Sequence, residues 1–331
     1  MTTFKEIRGT TIEVVSTDPT NPELGQIWYN SSSGTLKGYL LANVNTWSSG
    51  GNLNTARKRI GSAGIQTAAL AFGGATVSVG GSNSTATELY NGTVWTNNPT
   101  GLNTGNNGLS GAGTQTAALG FGGYVVPPSP GVKNITEKFN GTSWTTANTM
   151  NTARAYLGGC GLQTAALAIG GFSPATTGAT ESYNGTSWTT VNSMNFAANN
   201  LGTAGFQTAA LSFGGQPGPG TRTESWNGTS WTSVNSMNTA RNAGSSGTGT
   251  QTAAIAMGGV TASGATELWN GTSWTSNPTG LNTTRYNAGS GPSGTQTAAI
   301  IFGGANPSDT PQSVTEEWTG QQLQTKTITV S

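Results

Sequence analysis

Histidine is absent from the 331 residues, and cysteine occurs once, as Cys160. Without histidine there can be no Ser-His-Asp triad, no Cys-His dyad and no His-ligated zinc or copper site. A single cysteine allows neither an intrachain disulfide framework nor a multi-cysteine metal site. Charge is scarce too: Asp, Glu, Lys and Arg make up 8% of the chain, against a usual ~25%. The 13 basic and 12 acidic residues give a formal net charge of +1, which leaves no footprint for nucleic acid or an anionic membrane. No apolar run approaches the ~18 residues a membrane-spanning helix requires. The N-terminus lacks the apolar stretch of a secretory signal, so another route is expected if the protein works outside a cell. Hydrophobic content is low, 33%, and a helical bundle would need far more Ala, Glu, Lys and Leu.

What is abundant is glycine, 51 residues, accompanied by Thr, Ser and Asn and punctuated by 10 Trp, 9 Phe and 7 Tyr. The aromatics and the low net charge argue against disorder, and the composition reads as all-β with many tight turns. Internal repetition is the strongest signal. Gln-Thr-Ala-Ala-(Leu/Ile) begins at Gln66, Gln115, Gln163, Gln207, Gln251 and Gln296, and each copy runs into a Gly-Gly pair. A Thr-Glu follows, with the acid at Glu88, Glu137, Glu181, Glu224, Glu267 and Glu316. Five copies then carry Asn-Gly-Thr-(Ser/Val)-Trp, ending at Trp95, Trp144, Trp188, Trp231 and Trp274. Each unit reads as four short strands: a small Gly-rich one, an apolar one, one bearing Thr-Glu, and one bearing Trp. The Asn-Gly between the last two predicts a type I′ hairpin. A period of ~40–50 residues with four strands is that of a propeller blade.

The Gly-Gly ending strand two, the aromatic in strand three, the Trp in strand four and the Arg opening the next unit (Arg57, Arg154, Arg241, Arg285) resemble the kelch family over roughly residues 45–320. Asn106 and Ala198 replace that Arg in two copies. The resemblance implies a fold more than a function, because propellers host enzymes and binding modules alike. The copper chemistry of the galactose-oxidase branch cannot carry over without histidine. The sialidase Asp-box is only superficially similar, since Asn184 lies four residues before Trp188 and Gly185 follows it directly. The sixth copy, Thr315-Glu316-Glu317-Trp318, lacks a strand-four Trp, whereas Trp47 lies six residues before Leu53 just as Trp144 lies six before Met150. The expected fold is therefore an all-β, six-bladed kelch-like β-propeller, four strands per blade, closed by the N-terminal strand around Trp47, which removes the seam.

The ends read differently. Residues 1–34 are expected to form an N-terminal attachment segment and hairpin, and residues 35–331 the propeller with a C-terminal strand. Asp18 to Pro22 reads as a linker or turn, Gln26 to Leu40 as a hairpin, and Thr325 to Val330 as a strand. The opening Ile7-Arg8-Gly9-Thr10-Thr11, the segment from Asp18 through Gly25-Gln26-Ile27-Trp28-Tyr29-Asn30, and Thr35-Leu36-Lys37-Gly38-Tyr39 resemble virion-associated proteins of marine tailed bacteriophages. That resemblance implies a virion structural protein, in the tail or a fibre, present in multiple copies, with residues 1–34 contacting other virion proteins. The plainer alternative is that the extension merely caps the ring.

The six registered Glu residues are the obvious candidate acids, but a paired-carboxylate site needs two acids converging at ~5–9.5 Å. One copy per blade points to structure instead, with the carboxylates accepting hydrogen bonds from backbone or Trp N–H groups between blades. Arg occurs in four copies and Glu in six, so Arg cannot be an obligatory partner. Cys160 occupies a slot that holds Ala63, Ala112, Ala204, Thr248 and Ser293 elsewhere, and so fills space. Gly289 to Gly294 matches G-x-G-x-x-G, but no helix signal follows, and it is not a dinucleotide site. The Asn-Gly-Thr sequons read as turns. No cofactor and no metal are expected.

The links from Gly-Gly to Thr-Glu vary most between copies, and variable loops on a rigid scaffold are where recognition sits. They offer Tyr124, Lys133, Phe172, Arg222 and Asp309 as candidate ligand-binding residues. Few charges and scattered aromatics suit a neutral polar ligand such as a glycan, for instance a host surface polysaccharide; idle drift in loop length is the alternative. The expected function is a non-enzymatic virion protein presenting its loop face to a host surface or to neighbouring virion proteins. Two other readings stand beside it: a glycan-processing propeller enzyme using carboxylates or Tyr, and a particle component with no external ligand. Two non-repeat carboxylates lining one pocket would favour the enzyme.

Overall fold

The computed structural model describes residues 12–42, 45–77, 82–126, 131–241, 246–259 and 264–328. Every regular element in them is a strand, and none of them contains a helix long and apolar enough to cross a membrane. The chain divides into two compact units. Thr46–Thr319 is one; the two ends, up to Asn45 and from Gly320, form the other.

The larger unit is a β-propeller of six four-stranded antiparallel sheets. Blade one is Gly61–Ile65, Ala68–Phe72, Thr87–Tyr90 and Trp95–Asn97. Blades two to five repeat that order from Ser110–Thr114, Gly158–Leu162, Gly202–Phe206 and Ser246–Gly249 onward. Blade six joins Gly289–Ser290, Ala298–Phe302 and Thr315–Thr319 to Thr46–Ser49 from the other end of the unit, with Trp318 opposite Trp47. The outer strand expected from Trp47 is therefore in place.

The first strands are small because they converge. A Cβ on Gly111 of blade two would lie 2.2 Å from the Ser62 carbonyl oxygen of blade one. Ala63, Ala112, Cys160, Ala204 and Thr248, at one register of five blades, have no exposed surface. Burial pushes the Cys160 thiol up to about 12, so it fills space as an inert neutral group.

The repeated polar residues staple each blade to the one before it. Every strand-four Trp is buried and its indole N–H donates to the Thr hydroxyl that opens strand three of the preceding blade. These bonds are Trp144 to Thr87, Trp188 to Thr136, Trp231 to Thr180 and Trp274 to Thr223, at 2.9–3.1 Å. The same bond crosses both sides of blade six: Trp47 donates to Thr266 and Trp95 to Thr315, each at 2.9 Å. Each repeated Gln donates through Nε2 to a strand-three carbonyl of the preceding blade, as Gln115 does to Tyr90 and Gln66 to Trp318. Sequence repetition is thus the record of one interface built six times.

Each registered Glu works within its own blade. Glu137 accepts the backbone N–H groups of Asn103 and Thr104 at 2.8 and 3.1 Å, and Glu181 those of Asn151 and Thr152 at 2.7 and 3.2 Å. The carboxylate pins the loop that leads into the blade, satisfying donors that would otherwise be orphaned. Trp N–H groups are not its partners. Where the Arg is present it pairs with the Glu: Arg57–Glu88 at 2.8 Å, Arg154–Glu181 at 3.0 Å, Arg241–Glu267 at 3.3 Å, and Arg285–Glu316. These pairs are buried. Arg57 and Arg154 also donate to the first Gly-Gly carbonyl, Gly73 O at 2.8 Å and Gly170 O at 2.7 Å, and in blade two Asn106 Nδ2 takes that contact over, donating to Gly122 O at 2.6 Å. A hollow of about 10 Å³ remains beside Glu137.

The hairpin between strands three and four departs from the expected type I′ turn. The paired residues are Tyr90 and Trp95, so four residues intervene, and of the Asn-Gly pair only Gly92 takes a positive φ, 90°. Asn91 keeps an ordinary φ because its Oδ1 accepts the N–H groups of Thr93 and Val94 at 3.0 and 2.9 Å. The side chain closes the turn that a second left-handed residue would otherwise close.

The terminal unit is a separate four-stranded sheet of Glu13–Val15, Ile27–Asn30, Thr35–Ala42 and Gln322–Thr327. Its boundary corrects the expected division at residue 34. Thr35–Ala42 pairs with Ile27–Asn30 on one side and Gln322–Thr327 on the other, so the C-terminal strand belongs here and not to the propeller. Asp18, expected in a linker, is the hub of this sheet: it accepts from the Trp28 indole (3.0 Å), Asn30 Nδ2 (2.7 Å) and Lys37 Nζ (2.8 Å). Residues 1–11 of the expected attachment segment lie outside the described residues.

Candidate functional site

Two residues past each Arg register, just before strand one, the chain turns through the left-handed region. Arg59, Gly108, Tyr156, Asn200 and Asn287 take φ of 57°, 62°, 56°, 54° and 53°; the matching position of blade five lies outside the described residues. Their peptides are linked from blade to blade. Arg59 N–H donates to the Asn287 carbonyl at 2.8 Å, Gly108 to Arg59 at 3.0 Å, Tyr156 to Gly108 at 2.7 Å and Asn200 to Tyr156 at 2.7 Å. This belt of backbone hydrogen bonds holds four non-glycine residues in a conformation that costs of order 1 kcal/mol or more each. It aligns their side chains on one opening.

A cavity of about 560 Å³ lies there, lined by Arg59, Tyr156, Asn200 and Asn287, and further out by Phe172, Thr176, Asn199, Gln216, Pro217 and Tyr286. A narrower space of about 110 Å³ between the first strands shares the first four of these and includes Pro292. Beyond it the segment after Gly289–Ser290 reaches blades one and two: Ser293 N–H donates to Gly64 O at 3.0 Å and its Oγ to Gly113 O at 2.8 Å. The G-x-G-x-x-G match thus serves as packing near the axis.

The wall is fixed by amide hydrogen bonds. Asn199 Nδ2 donates to Thr176 Oγ1 at 2.7 Å, and Asn199 Oδ1 accepts from Asn200 Nδ2 at 2.8 Å and Gln216 Nε2 at 3.3 Å. On the other side Tyr286 donates to Asp309 Oδ1 at 2.7 Å, while Lys58 Nζ lies 2.5 Å from Asp309 Oδ2. Burial, then the Asp309 hydrogen bond, pushes the Tyr286 phenol up to about 12. Against the opposing effect of burial, Lys58 and Tyr286 hold the Asp309 carboxyl below its ordinary range.

The five residues expected from the links do not converge. Phe172 lines the large cavity and is 37% exposed. Asp309 stands behind it through Tyr286. Tyr124 and Lys133 are half-buried and line neither cavity. Tyr124 and Phe172 lie in short strands rather than free links: Tyr124–Val125 pairs with Gly131–Val132, and Phe172–Ser173 with Ala175–Thr176. Arg222 stacks over the Phe196 ring, 4.3 Å from its centroid, in a separate depression of about 10 Å³. The links of blades one and two do touch, since Val126 N–H donates to Asn83 Oδ1 at 3.2 Å; their residues 78–81 and 127–130 lie outside the described residues. Arg59, Tyr156, Asn200 and Asn287 were not singled out from sequence. The available signal was the register itself, where the residue type varies as Arg, Gly, Tyr, Asn and Asn while its surroundings repeat.

No protein-family model matches this chain, and no curated protein matches it. Solved structures do. One described as "Structure of YjhT" superposes with a TM-score of 0.64 at 13% identity, covering 83% of this chain and 99% of that one. At that identity the likeness shows the fold alone, a β-propeller.

Proposed function

We propose that this protein is a non-enzymatic structural component of a tailed-phage virion, in the tail or a fibre, whose kelch-like propeller presents its loop-face cavity to a saccharide of the host surface. The observation that carries the reading is the belt of left-handed residues, which keeps aromatic and amide side chains around a 560 Å³ opening. Aromatic faces bury the C–H surface of a sugar and amides satisfy its hydroxyls, which is how polar, neutral ligands are held. The virion assignment rests on the resemblance of the N-terminal sequence, and the terminal sheet, built from both chain ends, is the natural attachment device.

Against an enzyme, the repeated acids are occupied in holding loops to blades. Glu317, the acid outside the register, accepts from the Tyr90 hydroxyl at 2.6 Å. Asp309 is taken by Lys58 and Tyr286. No carboxylate lines the large cavity among the described residues.

The test is adsorption. Particles carrying Phe172→Ala should adsorb more weakly to host cells or isolated host polysaccharide, whereas Tyr124→Ala should adsorb like the parent. Equal adsorption of parent and Phe172→Ala particles, with the variant folded, rules the cavity out as the recognition site.

A further inference from the structure

The residue types at the belt position differ, and the difference builds a specific arrangement. Blade two has Gly108 there, and a Cβ on it would sit 2.6 Å from Tyr156 Cε1. The missing side chain gives the Tyr156 ring its room between blades one and three. Arg59 of blade one reaches over the same gap and lies over that ring, its Cζ 5.3 Å from the centroid. The cation–π contact holds the guanidinium over the ring face.

No protein group among the described residues accepts from the guanidinium. Arg59 is half-buried, and its guanidinium makes no hydrogen bond or ion pair among the described residues; its Nε is shut off from water without a partner. Arg57, Arg154, Arg241 and Arg285 differ in the outer edge of the guanidinium, which pairs with a Glu in each, although the Nε of Arg57, Arg154 and Arg241 is likewise without a partner. The nearby acid makes no ion pair with Arg59; Asp309 receives Lys58 and Tyr286 instead. Lys58 and Arg59 against Asp309 leave one positive charge at a cavity otherwise lined by amides and aromatic rings. A half-buried guanidinium at a cavity, with no acceptor for its outer edge among the described residues, is free to pair with an anionic group of a ligand.

We infer that the cavity selects a carboxylate-bearing saccharide, with the acid group held by Arg59 and the sugar ring packed near Tyr156 and Phe172. This rests on the saccharide reading above and replaces its neutral ligand with an acidic one. A carboxylate matches the planar fork of guanidinium in a way a hydroxyl cannot, and Asn200 and Asn287, beside Arg59 in the lining, can serve the hydroxyl groups.

The experiment titrates the full chain with tetragalacturonate and with the same oligosaccharide after reduction of its carboxyl groups to alcohols. The acidic form should bind at least about tenfold more tightly, and the preference should shrink with added salt. Arg59→Asn should weaken the acidic ligand about 10- to 100-fold and leave the reduced one nearly unchanged; Asn is chosen because it tolerates the left-handed conformation. Should that variant misfold, Arg59→Lys, which keeps the charge but loses the fork, should still bind the acidic ligand more weakly than the parent. Equal binding of both oligosaccharides by the parent, or equal losses on both in Arg59→Asn, would overturn the carboxylate assignment while leaving a saccharide site standing. Failure of the parent to bind either oligosaccharide, together with particles that ignore host polysaccharide, would overturn the saccharide reading itself.

Discussion

At the residue scale, one repeated side chain sits in two environments. Glu88 is fully buried against Arg57, while Glu137 is buried beside Asn106 with no cation at that position. Replacing Glu88 by Gln strands a buried guanidinium, and breaking such a pair costs about 3–5 kcal/mol. Replacing Glu137 by Gln removes one charged acceptor of two backbone amides and leaves no buried cation, which costs about 1–3 kcal/mol. Chemical denaturation should therefore rank Glu88→Gln as clearly less stable than Glu137→Gln; the reverse order would show that the ion pair adds nothing to the loop contacts. Asp18 offers a pH readout. Its hydrogen bond to Lys37, then those to Asn30 and Trp28, lower it from 3.8 to about 2. The folded carboxyl is depressed, so its contribution is complete above the unfolded value and disappears as pH falls from about 4 through about 2. The protection of the Trp28 indole N–H against hydrogen exchange, taken relative to its intrinsic rate at each pH, should be steady near neutrality and fall across that acid window, and Asp18→Asn should flatten the profile.

At the scale of single elements, Thr46–Ser49 decides whether the ring is whole. It pairs with Thr315–Thr319, and Trp47 reaches Thr266 of blade five, so one short strand completes blade six and holds it to its neighbour. Deleting residues 1–49 exposes the edge of Thr315–Thr319 and leaves the Thr266 hydroxyl without its donor. Such an edge invites pairing between molecules. That truncation should melt at a markedly lower temperature and aggregate on heating. Removing residues 1–42 together with 320–331 deletes the terminal sheet but keeps Thr46–Ser49, and should give a monodisperse propeller of near-parental melting temperature. Identical melting curves for the two truncations would refute closure by this strand.

For the whole molecule, six copies of one interface make the scaffold and the departures from repetition make the site. Indole-to-Thr and Gln-to-carbonyl bonds bind every blade to the previous one, so rigidity does not depend on the links. The links and the belt can then vary, and Phe172, Gln216 and Pro217 come from two of them. A shallow sugar site uses only part of the ~1.5–3 kcal/mol of a buried aromatic, so each copy binds weakly and several copies on one particle supply the avidity. The adsorption loss of Phe172→Ala should accordingly be larger for particles than for the isolated chain, and a loss no larger on particles would speak against multivalent attachment.

Much of this was legible in the sequence, for a physical reason. Blade number, strand order, the role of Trp47 and the structural role of the six Glu follow from contacts that recur at fixed spacing, and a contact repeated six times imprints itself on composition and period. The Asn-Gly turn was located correctly but its type was not, because the Asn91 side chain competes with the backbone for the turn. The terminal unit was misdivided because pairing of Thr35–Ala42 with Gln322–Thr327 joins opposite ends of the chain, which no local pattern records. Only the tertiary structure decided the candidate site. Arg59, Tyr156, Asn200 and Asn287 share no motif and are far apart in sequence; they meet because ring closure brings one register of different blades to a common axis, where Gly108 leaves the space that Tyr156 and Arg59 occupy.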